Sequence, residues 1–137
     1  MKKIFTIIII IFAVFLIFQN KTYLLQKIIF IKGVIEINTN FEKKIKPNSI
    51  LYITIKNDKE IIFAIKKIIN PSFPLEFEIN HKNVLYPDLI TLRTKIQAYI
   101  NTHGNVGEIK PGDIYSKPID SSIINTNLKI YATEIKY

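Results

Sequence analysis

Residues 27–37 read KIIFIKGVIEI, and their period sets the fold class. Ile29, Ile31, Ile35 and Ile37 fall on one side of an extended chain, with Lys32 and Glu36 on the other. Successive side chains leave a strand in opposite directions, so an alternation of apolar and polar residues marks a strand with one face in a core. Gly33 interrupts the run, which predicts a bulge or a close backbone approach at that point.

The same period recurs toward the C-terminus. SILYITIK (49–56) alternates Leu51, Ile53 and Ile55 against Tyr52 and Thr54. Asn57-Asp58 makes a turn, and EIIFAIKKII (60–69) follows as its hairpin partner. Pro71 and Pro74 disfavour helix around Phe73. PLEFEIN (74–80) then sets Leu75, Phe77 and Ile79 inward against Glu76 and Glu78. A loop from Asn80 to Asp88 ends in Tyr86-Pro87-Asp88. Leu89, Leu92, Ile96 and Tyr99 sit at helical spacing, yet the β-branched content and the turn at Asn101-Thr102-His103-Gly104 predict a strand over Lys95–Ile100. NLKIYATEIKY (127–137) closes the chain with another alternating strand. The expected fold is all-β, an antiparallel immunoglobulin-like β-sandwich of about seven strands, preceded by one N-terminal transmembrane helix.

That helix is read from IFTIIIIIFAVFLIF (4–18), where Thr6 is the only polar residue. Fifteen helical residues rise roughly 22 Å, short of a hydrocarbon core of about 30 Å. Continuing through Leu25 reaches about 33 Å, with Lys21 snorkelling and Tyr23 at interfacial depth. A cleavable signal peptide is the competing reading. Its cleavage site needs small residues, and Gln19-Asn20-Lys21-Thr22 stands there instead. The expectation is an uncleaved signal-anchor over 1–26 and a β domain over 27–137. Met1-Lys2-Lys3 is too short a leader to be a translocated domain. That places the chain in a bacterial inner membrane, single-pass, with its C-terminal domain in the periplasm.

Composition narrows the chemistry. The chain has 137 residues, 19 lysines and arginines against 11 acids, and a net charge of +8. The lysines are scattered and Arg93 is the single arginine, so nucleic acid is not an expected partner. With no cysteine there can be no disulfide, thiolate metal site, catalytic thiol or lipoprotein attachment.

THGNVGEIKPGDIYS (102–116) holds three of the four glycines, Gly104, Gly107 and Gly112, and is predicted to be an ordered loop with backbone at positive φ. Asp113 is expected to cap a turn there through its carboxylate. His81 and His103 are the only histidines. As haem or metal ligands they would need Asp113 or Glu108 beside them; the expectation is solvated turn histidines, no metal and no cofactor. Glu76 and Glu78 lie on the outer face of one strand and are expected to be solvated rather than a glycosidase pair. No serine sits in a nucleophile elbow and no glycine loop resembles a phosphate cradle, so no catalytic residue is expected and the chain is not read as an enzyme. Tyr52, Phe63, Phe73 and Phe77 are assigned to the core. Tyr86, Tyr99 and Tyr115 lie nearer loops and are the candidates for a partner-binding patch.

The order of these features resembles the C-terminal periplasmic β domain of the cytochrome c-type biogenesis protein CycH/CcmH/CcmI family. The elements stand here as IKGVIEI with Gly33, IKPNSILYITI with Pro47, IIFAIKK with Ala64 and FPLEFEI with Pro74. They continue as YPD with Pro87, KIQAYINTHGN with Gly104, and PGDIYS with Gly112 and Asp113. The resemblance spans about residues 28–137. It implies a non-catalytic, chaperone-like role in cytochrome c biogenesis, holding apocytochrome c for haem ligation. The implied partners are apocytochrome c or cytochrome c maturation proteins. The alternative is an envelope protein-interaction domain of similar fold with no link to cytochromes.

Overall fold

A computed structural model of the chain describes residues 2–137. Helix α1 (Lys2–Gln19) is apolar along its length and buries nothing against the rest of the molecule. By length and composition it is able to cross a membrane. Helix α2 (Lys21–Ile28) continues it almost without a break. The Asn20 N–H donates to Leu16 O at 3.1 Å and Leu24 N–H donates to Asn20 O at 3.0 Å. Leu25, inside α2, and Ile29, just beyond it, belong to the core of the β domain, so the stem is packed against the domain it carries. Leu25, expected within the membrane span, is instead part of the domain.

Eight strands follow: β1 (Phe30–Ile37), β2 (Ile50–Lys56), β3 (Ile62–Ile69), β4 (Leu75–Ile79), β5 (Arg93–Asn101), β6 (Ile114–Ser116), β7 (Ile119–Ser122) and β8 (Ile124–Ile135), with a short helix α3 (Thr39–Glu42) after β1. The stretches read as strands are strands, including 93–101 rather than a helix there. β6 and β7 were not expected, and Ile114–Ser116 makes the end of the expected 102–116 loop a strand. The expected arrangement is corrected. Hydrogen bonds join every strand into one sheet, in the order β3-β2-β5-β6-β8-β1-β4, with β7 beside β6 on the same edge of β5. The pairing is also not wholly antiparallel, since β1 and β8 run parallel. Phe63 of β3 and Phe77 of β4 come from opposite ends of that order yet meet in one buried cluster, which requires the sheet to curl on itself. Residues 84–86, coming from β4, lie along the β3 edge, where Leu85 and Tyr86 donate to Phe63 O at 2.8 and 3.2 Å. The sheet is thus nearly closed and barrel-like instead of two stacked sheets. Alternating sequences suit either solution, because a barrel and a sandwich both need one apolar face per strand.

Two positions show why the chain folds this way locally. At Gly33 the β1–β8 register shifts, and a Cβ there would lie 2.2 Å from Leu128 O. The close approach expected from the sequence is a backbone-to-backbone contact that only hydrogen can occupy. In β2, both faces are covered: Leu51, Ile53 and Ile55 point to the main core, while Tyr52 and Thr54 are buried on the other side. The cover on that outer side is the glycine-bearing loop.

The curled sheet has two ends. One carries α2, the β2–β3 turn, residues 80–92 and the start of β8. The other carries α3, the segment into β2, and the loop from Thr102 to Asp113. Eight residues of β5 separate Arg93 from Asn101, about 26 Å at 3.3 Å per residue.

Candidate functional site

A groove of 280 Å³ opens at the end far from α2. Its walls are the segment entering β2 (Lys44, Lys46, Ser49), the end of β5 (Asn101), and the loop with His103, Lys110 and Asp113. The loop is built by interlocking polar groups. The buried Asp113 carboxylate accepts from the Lys110 backbone N–H at 2.7 Å and from His103 Nε2 at 2.9 Å. The Asn105 N–H donates to His103 Nδ1 at 3.1 Å, so the ring proton of the neutral imidazole is assigned to Nε2, facing the carboxylate. Buried Asn101 accepts from the Gly104 N–H and donates to Asn105 O, each at 3.1 Å. The Gly112 N–H donates to Lys136 O at 2.8 Å and ties the loop to the end of β8.

The same loop folds over the outer face of the sheet. Tyr52 donates its hydroxyl proton to Gly104 O at 3.0 Å, and the Tyr99 hydroxyl accepts from the Gly107 N–H. The two rings lie 5.5 Å apart. Burial is the main cause that pushes the Tyr99 phenol above its ordinary pKa. Gly104 and Gly112 have φ of +75° and +93° with open space around them, so glycine is there for backbone conformation.

The sequence-predicted residues divide on this geometry. Gly104, Gly112 and Asp113 meet in one loop, and Asp113 caps its turn as expected. Pro47 and Asn48 form the neighbouring turn, with Asn48 at φ 65°. Gly33, Ala64, Pro74 and Pro87 are structural positions elsewhere. Ala64 is buried in β3, Pro74 precedes β4, and Pro87 opens a 3-10 turn over Pro87–Leu89. Tyr99 corrects the reading of a binding patch, because it is buried and pins the loop. Tyr86 is exposed on the β3 edge at the other end. Tyr115 lies half-buried beside Glu134, whose hydrogen bond raises its phenol pKa. The three tyrosines therefore do not form one patch. His103 is also not a solvated turn residue, since Asp113 and Asn105 hold both nitrogens; His81 is exposed in a 3-10 turn.

Sequence reasoning missed Lys44, Lys46, Lys110 and Asn101. The lysines were legible only as scattered charge. Ile45 packs against the core and thereby fixes the Lys44–Lys46 segment beside the loop. Lys110 Nζ shares its charge with Glu108 at 3.5 Å, while Asp113 is the one acid in the lining. The rim is consequently positive above a committed carboxylate. Such a surface suits an anionic group. Among the described residues no cluster of three histidines or acids is placed to hold a metal ion.

No family model matches the chain, and no curated protein matches it. Among solved structures it is similar to an alternative pilotin from the type II secretion system of Vibrio cholerae, at 12% identity and a TM-score of 0.49. That likeness covers 79% of this chain and 97% of the pilotin chain.

Proposed function

We propose that the chain is a membrane-anchored, non-catalytic protein-binding domain of the bacterial envelope, whose far groove receives an acidic segment of a client. The observation that carries this reading is the lysine-rimmed groove at the end of the sheet opposite the anchoring helix. A rigid domain on a short stem raises the local concentration of a client at the membrane without doing chemistry. His103 and Asp113 are consumed in holding the loop, so neither is left free as a base. The strand edges are less suited to a client: β4 spans only Leu75–Ile79 and carries Glu76 and Glu78, while β3 carries Lys66 and Lys67. In the proposed topology α1 stays uncleaved in the inner membrane and the β domain lies in the periplasm.

The specific form of this proposal is a role in cytochrome c biogenesis with apocytochrome c as client, and it rests on the order of sequence elements described above. The second reading, an envelope-interaction domain without cytochromes, is favoured by the rim itself, because its charge selects any acidic segment. Full-length protein in lipid nanodiscs should capture apocytochrome c, and a Lys44→Glu, Lys46→Glu, Lys110→Glu variant should lose that capture. Capture that survives the triple variant refutes the groove. No capture by either protein refutes the cytochrome client.

A further inference from the structure

The end of the sheet that carries α2 has a surface unlike the rest. Outside α1, most of the large apolar side chains that stay exposed lie there, on α2 and on the loops beside it. Leu85, Tyr86 and Leu92 are 53%, 57% and 61% exposed, and Leu24, Ile28 and Ile124 share the same end. Ile69, Val106, Tyr131 and Tyr137 are the exceptions among the described residues. These positions are held rigidly. The Ile123 N–H donates to Leu92 O at 3.1 Å, the Phe30 N–H donates to Ile123 O at 2.9 Å, and residues 84–86 are bonded to β3. An apolar collar fixed by backbone hydrogen bonds is a built surface, and exposed apolar side chains gathered at one end of a domain mark a contact.

Charge and distance say what the contact is with. Lys21 and Arg93 rim a hollow of 460 Å³ between α2 and residues 90–93, with Asp58 as the acid in its lining. Cations bordering exposed apolar side chains match the boundary between phosphate headgroups and acyl chains. Leu25, the first stem residue in the domain core, is six residues beyond the end of α1 at Gln19, roughly 9 Å of helix. The headgroup layer on one side of a bilayer is about 5–8 Å thick. The base of the domain therefore reaches the headgroups as soon as α1 is embedded.

We infer that this end is a membrane-seating surface: Leu85, Tyr86 and Leu92 enter the interface of the bilayer that α1 crosses, and Lys21 and Arg93 take an anionic headgroup phosphate between them. The seat rests on the reading of α1 as a membrane span. It fixes the stem's angle and holds the groove at the other end of β5, facing away from the lipid, at a height below the strand's own length of about 26 Å because barrel strands tilt. The lipid of the same leaflet is thereby kept from the groove, which leaves its lysines to a soluble or protein-borne anion.

The absence of tryptophan makes this directly measurable. Single-tryptophan variants of the full chain are reconstituted in vesicles of phosphatidylcholine and phosphatidylglycerol, with phosphatidylcholine brominated near the headgroup end of its acyl chains. Leu92→Trp and Tyr86→Trp report the collar, Tyr131→Trp the side of the barrel, and Phe12→Trp the anchor. The collar reporters should lose roughly half their emission to the brominated lipid, as expected for a side chain 5–10 Å into the interface. The Tyr131→Trp reporter should be unaffected. Replacing phosphatidylglycerol with phosphatidylcholine, or Arg93 with Glu, should reduce collar quenching while Phe12→Trp quenching stays. If the Phe12→Trp reporter is quenched and both collar reporters behave like Tyr131→Trp, the seat is overturned and the anchor stands. If the Phe12→Trp reporter is not quenched either, the anchor reading falls and the seat with it. Equal quenching of the collar and Tyr131→Trp reporters also overturns the seat.

Discussion

Replacing Gly33 with alanine should be the most damaging single-methyl change in the chain. The added Cβ would sit 2.2 Å from Leu128 O and 2.9 Å from both the carbonyl carbon and the Cβ of Leu128. Ordinary contact distances are 3.4–4 Å, so β1 and β8 must separate by more than an ångström at their shared bulge. Leu128 cannot give way as a flexible side chain would, because its backbone is itself the obstacle. Its neighbours Ile31, Ile35 and Ile130 are fully buried, so the separation propagates into the core. Overpacking of a well-packed interior costs about 1–3 kcal/mol, and a backbone clash belongs at the upper end. For a domain of this size that is a fall in Tm of roughly 10 °C or more. Thermal unfolding of the full chain in detergent, followed by circular dichroism, reads it. Gly112→Ala supplies the control: φ is +93° but the space is open, so the cost is conformational, about 1–2 kcal/mol. A Gly33→Ala protein that melts within 2 °C of the parent, or above Gly112→Ala, would refute the close-approach argument.

Two further outcomes test the loop. Because burial raises the Tyr99 pKa above its unfolded value, its share of stability is complete below about pH 10 and is lost as pH rises through the folded pKa. Tyr99→Phe should flatten the alkaline part of the Tm–pH curve, and phenolate absorbance should show one fewer late-titrating tyrosine. Unchanged alkaline melting would count against Tyr99 as its source. Asp113→Ala removes an acceptor used by Lys110 and His103, and should cost about 1–3 kcal/mol by chemical denaturation. Limited proteolysis should then cut between residues 102 and 112 faster than in the parent. An equally resistant loop would show that other bonds hold it.

Alternation at 29–37, 51–56, 75–79 and 128–132 was enough to place these strands and the face each one turns to the main core, because period two follows from local backbone geometry. Gly33, the three loop glycines and the capping Asp113 were also legible, since positive φ, close approach and short-range capping are properties of a few neighbouring residues. The apolar run of α1 was as plain, being set by composition alone. Which strand lies beside which was not written locally. A parallel β1–β8 pair joins segments almost a whole domain apart, and one-face-apolar strands satisfy a sandwich and a curled sheet equally. Tyr99 had the outward phase of a surface residue, and only the loop folding back over Tyr52 buried it. The groove lysines and the apolar collar are likewise products of assembly. Their side chains carry no periodic signal, and they become neighbours only when distant turns meet at one end of the barrel.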